Sequence, residues 1–111
     1  MAAADYDLEF IAGDDESRTF AFYQDDGVTT LDISGRTFVG EVRTARNQEG
    51  DPAASFITAV NGHELTVSLL AATTRALRDE QRRYFYDIQQ LTPTVQTFFR
   101  GALSLTDDVT R

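Results

Sequence analysis

Arg82-Arg83-Tyr84-Phe85-Tyr86-Asp87-Ile88-Gln89-Gln90-Leu91 is the stretch that decides the class of fold. Tyr84, Tyr86 and Ile88 fall on one side of an extended chain, and Phe85, Asp87 and Gln89 on the other. That period of two is the signature of a half-buried strand. After Thr92-Pro93-Thr94 comes a second long run, Val95 to Leu105. There Phe99, Gly101, Leu103 and Leu105 share one side, and Phe98, Arg100 and Ala102 the other. Two long strands around a short Pro-containing turn predict a hairpin.

Outward from this hairpin the same period recurs. Tyr6 to Ile11, Arg18 to Tyr23, Thr37 to Thr44, Ser55 to Val60 and Glu64 to Leu69 all read as strands, and Leu31 to Gly35 as a short extended piece. Gly13-Asp14-Asp15 and Asp25-Asp26-Gly27 are turn signals. Asn61-Gly62 predicts a type I′ hairpin turn, which needs positive φ twice. The polar stretch Arg46 to Pro52 reads as a loop. Helix competes only from Leu70 to Arg78, where Leu70, Thr73 or Thr74, and Leu77 share a face and alanines favour one or two helical turns.

About seven strands with turn signals every 8 to 12 residues predict an all-β, antiparallel β-sandwich with under about 15% helix. The expected organisation is a loose N-terminus over 1–5, a sandwich domain over 6–106 and a polar tail over 107–111. The expected core is Phe20, Phe22, Phe38, Val42, Leu65, Val67, Leu69, Tyr84, Tyr86, Ile88, Leu103 and Leu105.

Composition narrows the chemistry. At 111 residues the chain is one domain by size. It has no cysteine, which removes disulfides, thiolate zinc sites and thiol nucleophiles. Ten basic residues, all arginine, against 18 acids give −8, which argues against a general grip on nucleic acid. No apolar run approaches the roughly 20 residues of a membrane-spanning helix, and no basic-then-apolar leader opens the chain.

The candidate catalytic groups are few. His63, the one histidine, follows a turn signal and has no marked nucleophile beside it. Paired carboxylates can hydrolyse sugars, but only across a cleft, and the chain has no tryptophan to stack a sugar. Asp14-Asp15-Glu16, Asp25-Asp26 and Asp107-Asp108 lack the spacing of a calcium loop, and solvated turn acids are the commoner reading. No enzyme, cofactor or metal is therefore expected.

Aromatics with arginines mark contact surfaces. With Tyr84 and Tyr86 facing the core, Tyr84 is expected opposite Gly101 and Tyr86 opposite Phe99, with Phe85 opposite Arg100 and Asp87 opposite Phe98. Phe85 and Phe98 then project outward, with Arg100 over Phe85. These two, with Arg82, Arg83 and Arg100, are the candidate interface. A cover over the rings is the bland alternative.

Several landmarks resemble a known family by their order. They are Asp7-Leu8-Glu9-Phe10-Ile11-Ala12-Gly13-Asp14, then Leu31-Asp32-Ile33-Ser34-Gly35-Arg36-Thr37-Phe38 with Glu41-Val42-Arg43. Glu64 to Leu69 with the Thr74–Leu77 turn follow, then Arg83-Tyr84-Phe85-Tyr86-Asp87-Ile88, Gly101 and Asp108-Val109-Thr110-Arg111. Over about residues 5 to 111 the chain resembles small tailed-phage virion proteins whose immunoglobulin-like sandwich is similar to the N-terminal domain of phage baseplate upper proteins. One departure is Asp79-Glu80-Gln81-Arg82, where such proteins often carry Pro-Gly.

The resemblance implies a non-enzymatic virion structural protein, at the tail, baseplate or fibre attachment. It implies contact with other virion proteins in symmetric multiple copies, assembly in the host cytoplasm, and no appended receptor-binding domain. It implies no nucleic-acid, membrane or small-molecule partner. A capsid decoration protein, or a calcium- or sugar-binding accessory sandwich, are the alternatives.

Overall fold

The computed structural model describes residues 4–45, 50–92 and 94–107. Nine strands and one helix follow in chain order: β1 (Ala4–Asp5), β2 (Leu8–Ile11), β3 (Glu16–Ala21), β4 (Thr37–Arg43), β5 (Ala54–Ser55), β6 (Ile57–Asn61), β7 (Glu64–Leu69), α1 (Ala71–Glu80), β8 (Arg83–Thr92) and β9 (Gln96–Thr106). One sheet runs β1-β9-β8-β4-β5, with β2 also on β9, and the other runs β3-β7-β6. The order β3-β7-β6 over β9-β8-β4-β5 is that of an immunoglobulin-type sandwich.

All twelve expected core side chains are buried. They pack with Leu8, Phe10, Ile33, Phe56 and Leu77 into one cluster. Phe20 stacks on Phe99 at 4.3 Å between ring centres, and Phe22 meets Phe38, Phe98 and Phe99 at 5.8, 5.3 and 5.7 Å. These ring pairs bridge the two sheets.

Several details differ from the expectation. The sheet of β9 is mixed, because β1 and β2 run parallel to β9. The chain leaves β2 through the Gly13 turn and crosses to the opposite sheet, so it never folds back beside its own sheet. Ala4 and Asp5, expected to be loose, pair with Phe99 and Arg100. Of the expected Arg46 to Pro52 loop, residues 46–49 lie outside the described residues, as do residues 108–111 of the expected tail and Pro93 of the final turn.

The Asn61-Gly62 turn sits one residue later than expected. Asn61 pairs with Glu64, so Gly62 and His63 form the turn. Gly62 has φ of +64° and, among the described residues, none other than glycine has positive φ, which fits a type II′ turn with glycine first, not type I′.

Helix α1 spans ten residues, longer than one or two turns. Its N-terminus has no side-chain cap from Leu70. Distant groups do that work instead: Asp15 Oδ1 accepts from the Ala71 N–H at 2.6 Å. Buried Thr74 accepts from the Gly13 N–H at 3.0 Å, with Asp14 O and Ala71 O each at 3.0 Å from its hydroxyl. At the far end Arg78 Nε lies 2.9 Å from Asp107 Oδ1.

The final hairpin is shifted by two residues from the expected register. Tyr84 lies opposite Leu103, Tyr86 opposite Gly101 and Ile88 opposite Phe99. From Phe99 to Leu105 the faces are unchanged, because a shift of two preserves them. Between Ile88 and Gln89 the register slips by one, and Phe98 is the extra residue of a β-bulge.

Gly101 is required by a close approach. Tyr6 crosses over it between β1 and β2, donating its N–H to Arg100 O at 2.9 Å, while the Tyr86 hydroxyl donates to Tyr6 O. A Cβ on Gly101 would collide with the backbone carbonyl oxygen of Tyr6.

Candidate interaction face

The outer face of β4, β8 and β9 carries the polar half of each strand's alternation. Its rows follow from the two registers. Arg43, Phe85 and Ala102 form one row, and Glu41, Asp87 and Arg100 the next. Phe85 and Asp87 are half-buried.

The charges on this face are organised in pairs. Arg43 donates to Glu41 Oε1 at 2.7 Å. Arg100 Nε lies 3.3 Å from Asp5 Oδ1 at the rim. The Arg83 guanidinium sits 5.9 Å from the centre of the Phe85 ring, a cation–π distance. Burial, then the Glu41 charge, raise the Asp87 carboxyl above its ordinary range, and Arg43 lowers it in part. On β4, β8 and β9 the face carries Arg43, Arg83 and Arg100 with Glu41 and Asp87, and the adjoining β1 and β2 add Asp5 opposite Arg100 and Glu9 opposite Ser104. Three of the chain's ten arginines thus interleave with acids on this face, in a chain of −8.

Of the five candidate interface residues, Phe85, Arg83 and Arg100 share this face. Phe98 does not. The bulge turns it inward, where its ring meets Phe22 and Phe38. Arg82 points elsewhere too, with its guanidinium 3.8 Å from Asp107 near the end of α1. The cation over Phe85 is Arg83, two residues earlier on the same strand, and not the expected Arg100, because the shifted register puts Ala102 opposite Phe85. Glu41 and Arg43 were not among the candidates. Alternation along Thr37 to Thr44 places both on the outer face, but only the β4–β8 pairing brings them to Phe85 and Asp87.

The acidic turns have local work. Asp15 holds α1, and Asp26 Oδ1 accepts from the Val28 and Thr29 N–H groups at 2.8 Å each. Those bonds, with one from the Thr29 hydroxyl, lower the Asp26 carboxyl below its ordinary range. Among the described residues no group of three or more His, Asp or Glu side chains is gathered for a metal. His63 lies beside Tyr23, ring centres 6.1 Å apart.

One groove of about 530 Å³ opens between α1 and the end of β4, lined by Thr44, Ala53, Ala76, Leu77 and Tyr84 among others. The hydroxyl of Tyr84 is committed to Leu77 O. Compared with known proteins, the chain matches no family model and no curated protein.

Proposed function

We propose that this chain is a non-enzymatic structural protein of a tailed-phage particle, an adaptor at the tail, baseplate or fibre attachment. It binds neighbouring proteins through the outer face of β4, β8 and β9. The supporting observation is half-buried Phe85 among Arg43, Arg83 and Arg100, with Glu41 and Asp87 beside them, on a strongly acidic chain. Interfaces favour an aromatic with arginines over isolated acids, and the arginines among the acids here let another acidic protein approach. The placement in a virion rests on the ordered resemblance of its sequence landmarks.

The test is incorporation of a Phe85→Ser variant into the purified particle. The expected result is a folded domain, by circular dichroism, that is under-represented in particles. Normal incorporation of the folded variant overturns this face as the contact. A hydrolytic activity of the pure protein that disappears in His63→Ala or Asp87→Asn overturns the non-enzymatic reading.

A further inference from the structure

Each sheet of a sandwich has two edges, and natural proteins guard them with charge, proline, bulges or short length. Three edges here follow that rule. β5 has two residues. β1 and β2, with the link between them, carry Asp5, Asp7 and Glu9, and β3 carries Glu16 and Arg18. Arg18 also donates to Glu9 O at 2.7 Å, across the gap between β2 and β3.

The fourth edge, β6, has none of these guards. Ile57-Thr58-Ala59-Val60-Asn61 has no charge, no proline and an unbroken register with β7. The whole run from Ala53 to His63 has no Asp, Glu or Arg, in a chain that is 25% charged. Along it Ala53, Ser55, Ile57 and Ala59 are exposed, and Ile57 is 52% exposed.

The hairpin turn determines which backbone groups are free. Asn61 and Glu64 close a two-residue turn, so Asn61, Ala59 and Ile57 exchange their backbone bonds with β7. The N–H and C=O groups of Thr58 and Val60 therefore point away from the sheet. Nothing among the described residues hydrogen-bonds these four groups.

We infer that β6 pairs with β6 of a second copy of this chain, antiparallel and two-fold symmetric about Ala59. In that register Thr58 faces Val60 of the other copy, twice over, and all eight outward groups are satisfied in four hydrogen bonds. Ala59 meets Ala59 at the close-approach position, where a small side chain fits. Ile57 lies opposite Asn61 on the outer face and loses exposure. The two β3-β7-β6 sheets become one six-stranded sheet, and an isologous contact closes at two.

The charge pattern favours a second copy over a different partner. A basic partner finds no carboxylate on this strand, whereas two copies of a −8 chain meet here without opposing like charges in the contacting strands. The contact is short, so the dimer is weak and concentration-dependent. It is separate from the outer face of β4, β8 and β9.

Sedimentation velocity of the full chain over a concentration series tests this. The expected result is a reversible monomer–dimer equilibrium. Ala59→Lys places two cations opposite each other on an exposed position and weakens dimerisation at least about tenfold. Thr58→Pro removes one outward donor per copy and weakens it in the same direction. Phe85→Ser leaves it unchanged. A monomer up to about 1 mM overturns the inference. So does wild-type dimerisation by folded Ala59→Lys, or a dimer lost in Phe85→Ser and kept in Ala59→Lys. If Thr58→Pro fails to fold, Ala59→Lys decides.

Discussion

The Tyr84 hydroxyl donates to the backbone carbonyl of Leu77 at 2.6 Å, seven residues back in the chain. Tyr84 opens β8 and Leu77 lies in the last turns of α1, so one bond sets the angle at which the helix feeds the strand. It is the tyrosine corner of immunoglobulin-type sandwiches, built here on a helix. Both residues are buried, so water does not replace the bond.

Tyr84→Phe is therefore expected to cost about 1–2 kcal/mol, one hydrogen bond plus a stranded carbonyl. Chemical denaturation measures the loss. Faster amide exchange confined to α1 and the start of β8 would show that the bond acts on this corner.

Gly101→Ala puts a methyl group against Tyr6 O. The expected cost is about 1–3 kcal/mol, as for overpacking, with the residues around Tyr6 displaced from β9. A midpoint of unfolding equal to that of the parent protein would show that Tyr6 yields without strain.

Phe98→Ser and Phe85→Ser separate the two sides of β9 and β8. Phe98 packs on Phe22 and Phe38, so its loss is expected to cost about 2 kcal/mol or more. Phe85 lies on the outer face, and its replacement is expected to move stability by less than about 1 kcal/mol. Paired urea melts give the comparison, and equal losses would contradict the inward turn of Phe98.

Phe22→Ala removes the ring that meets three others across the sandwich. The expected loss is about 3–5 kcal/mol. A loss below about 1 kcal/mol would mean that the ring is not packed as described.

Asp87 makes stability depend on pH. Its folded pKa is raised, first by burial and then by Glu41. The folded state thus holds this proton more tightly than the unfolded chain, and stability falls as pH rises from the ordinary carboxylate value through the raised one. Above that window the cost is complete. Asp87→Asn is therefore expected to raise the melting temperature at about pH 7 and to change it little at about pH 3. A gain that is the same at both values would exclude ionisation of Asp87 as the cause.

Alternation alone determined the class of fold, most of the strands, the greater part of the core and every face of the final hairpin but that of Phe98. Tyr84, Tyr86 and Ile88 had to share a side because consecutive side chains of a strand oppose each other, and burying one side is the dominant gain. The tertiary structure decided what local pattern cannot encode. A two-residue slip of register keeps every face, so only the bulge at Phe98 and the anchoring of Tyr6 over Gly101 could choose the pairing. The inward turn of Phe98, the arrival of Glu41 and Arg43 beside Phe85 and Asp87, and the parallel docking of β1 and β2 all depend on which strands lie side by side. The ten-residue helix likewise needs Asp15 and Thr74, brought together by a turn some sixty residues from the helix in sequence. Those contacts join distant parts of the chain, and their free energy exists only once the two sheets have closed.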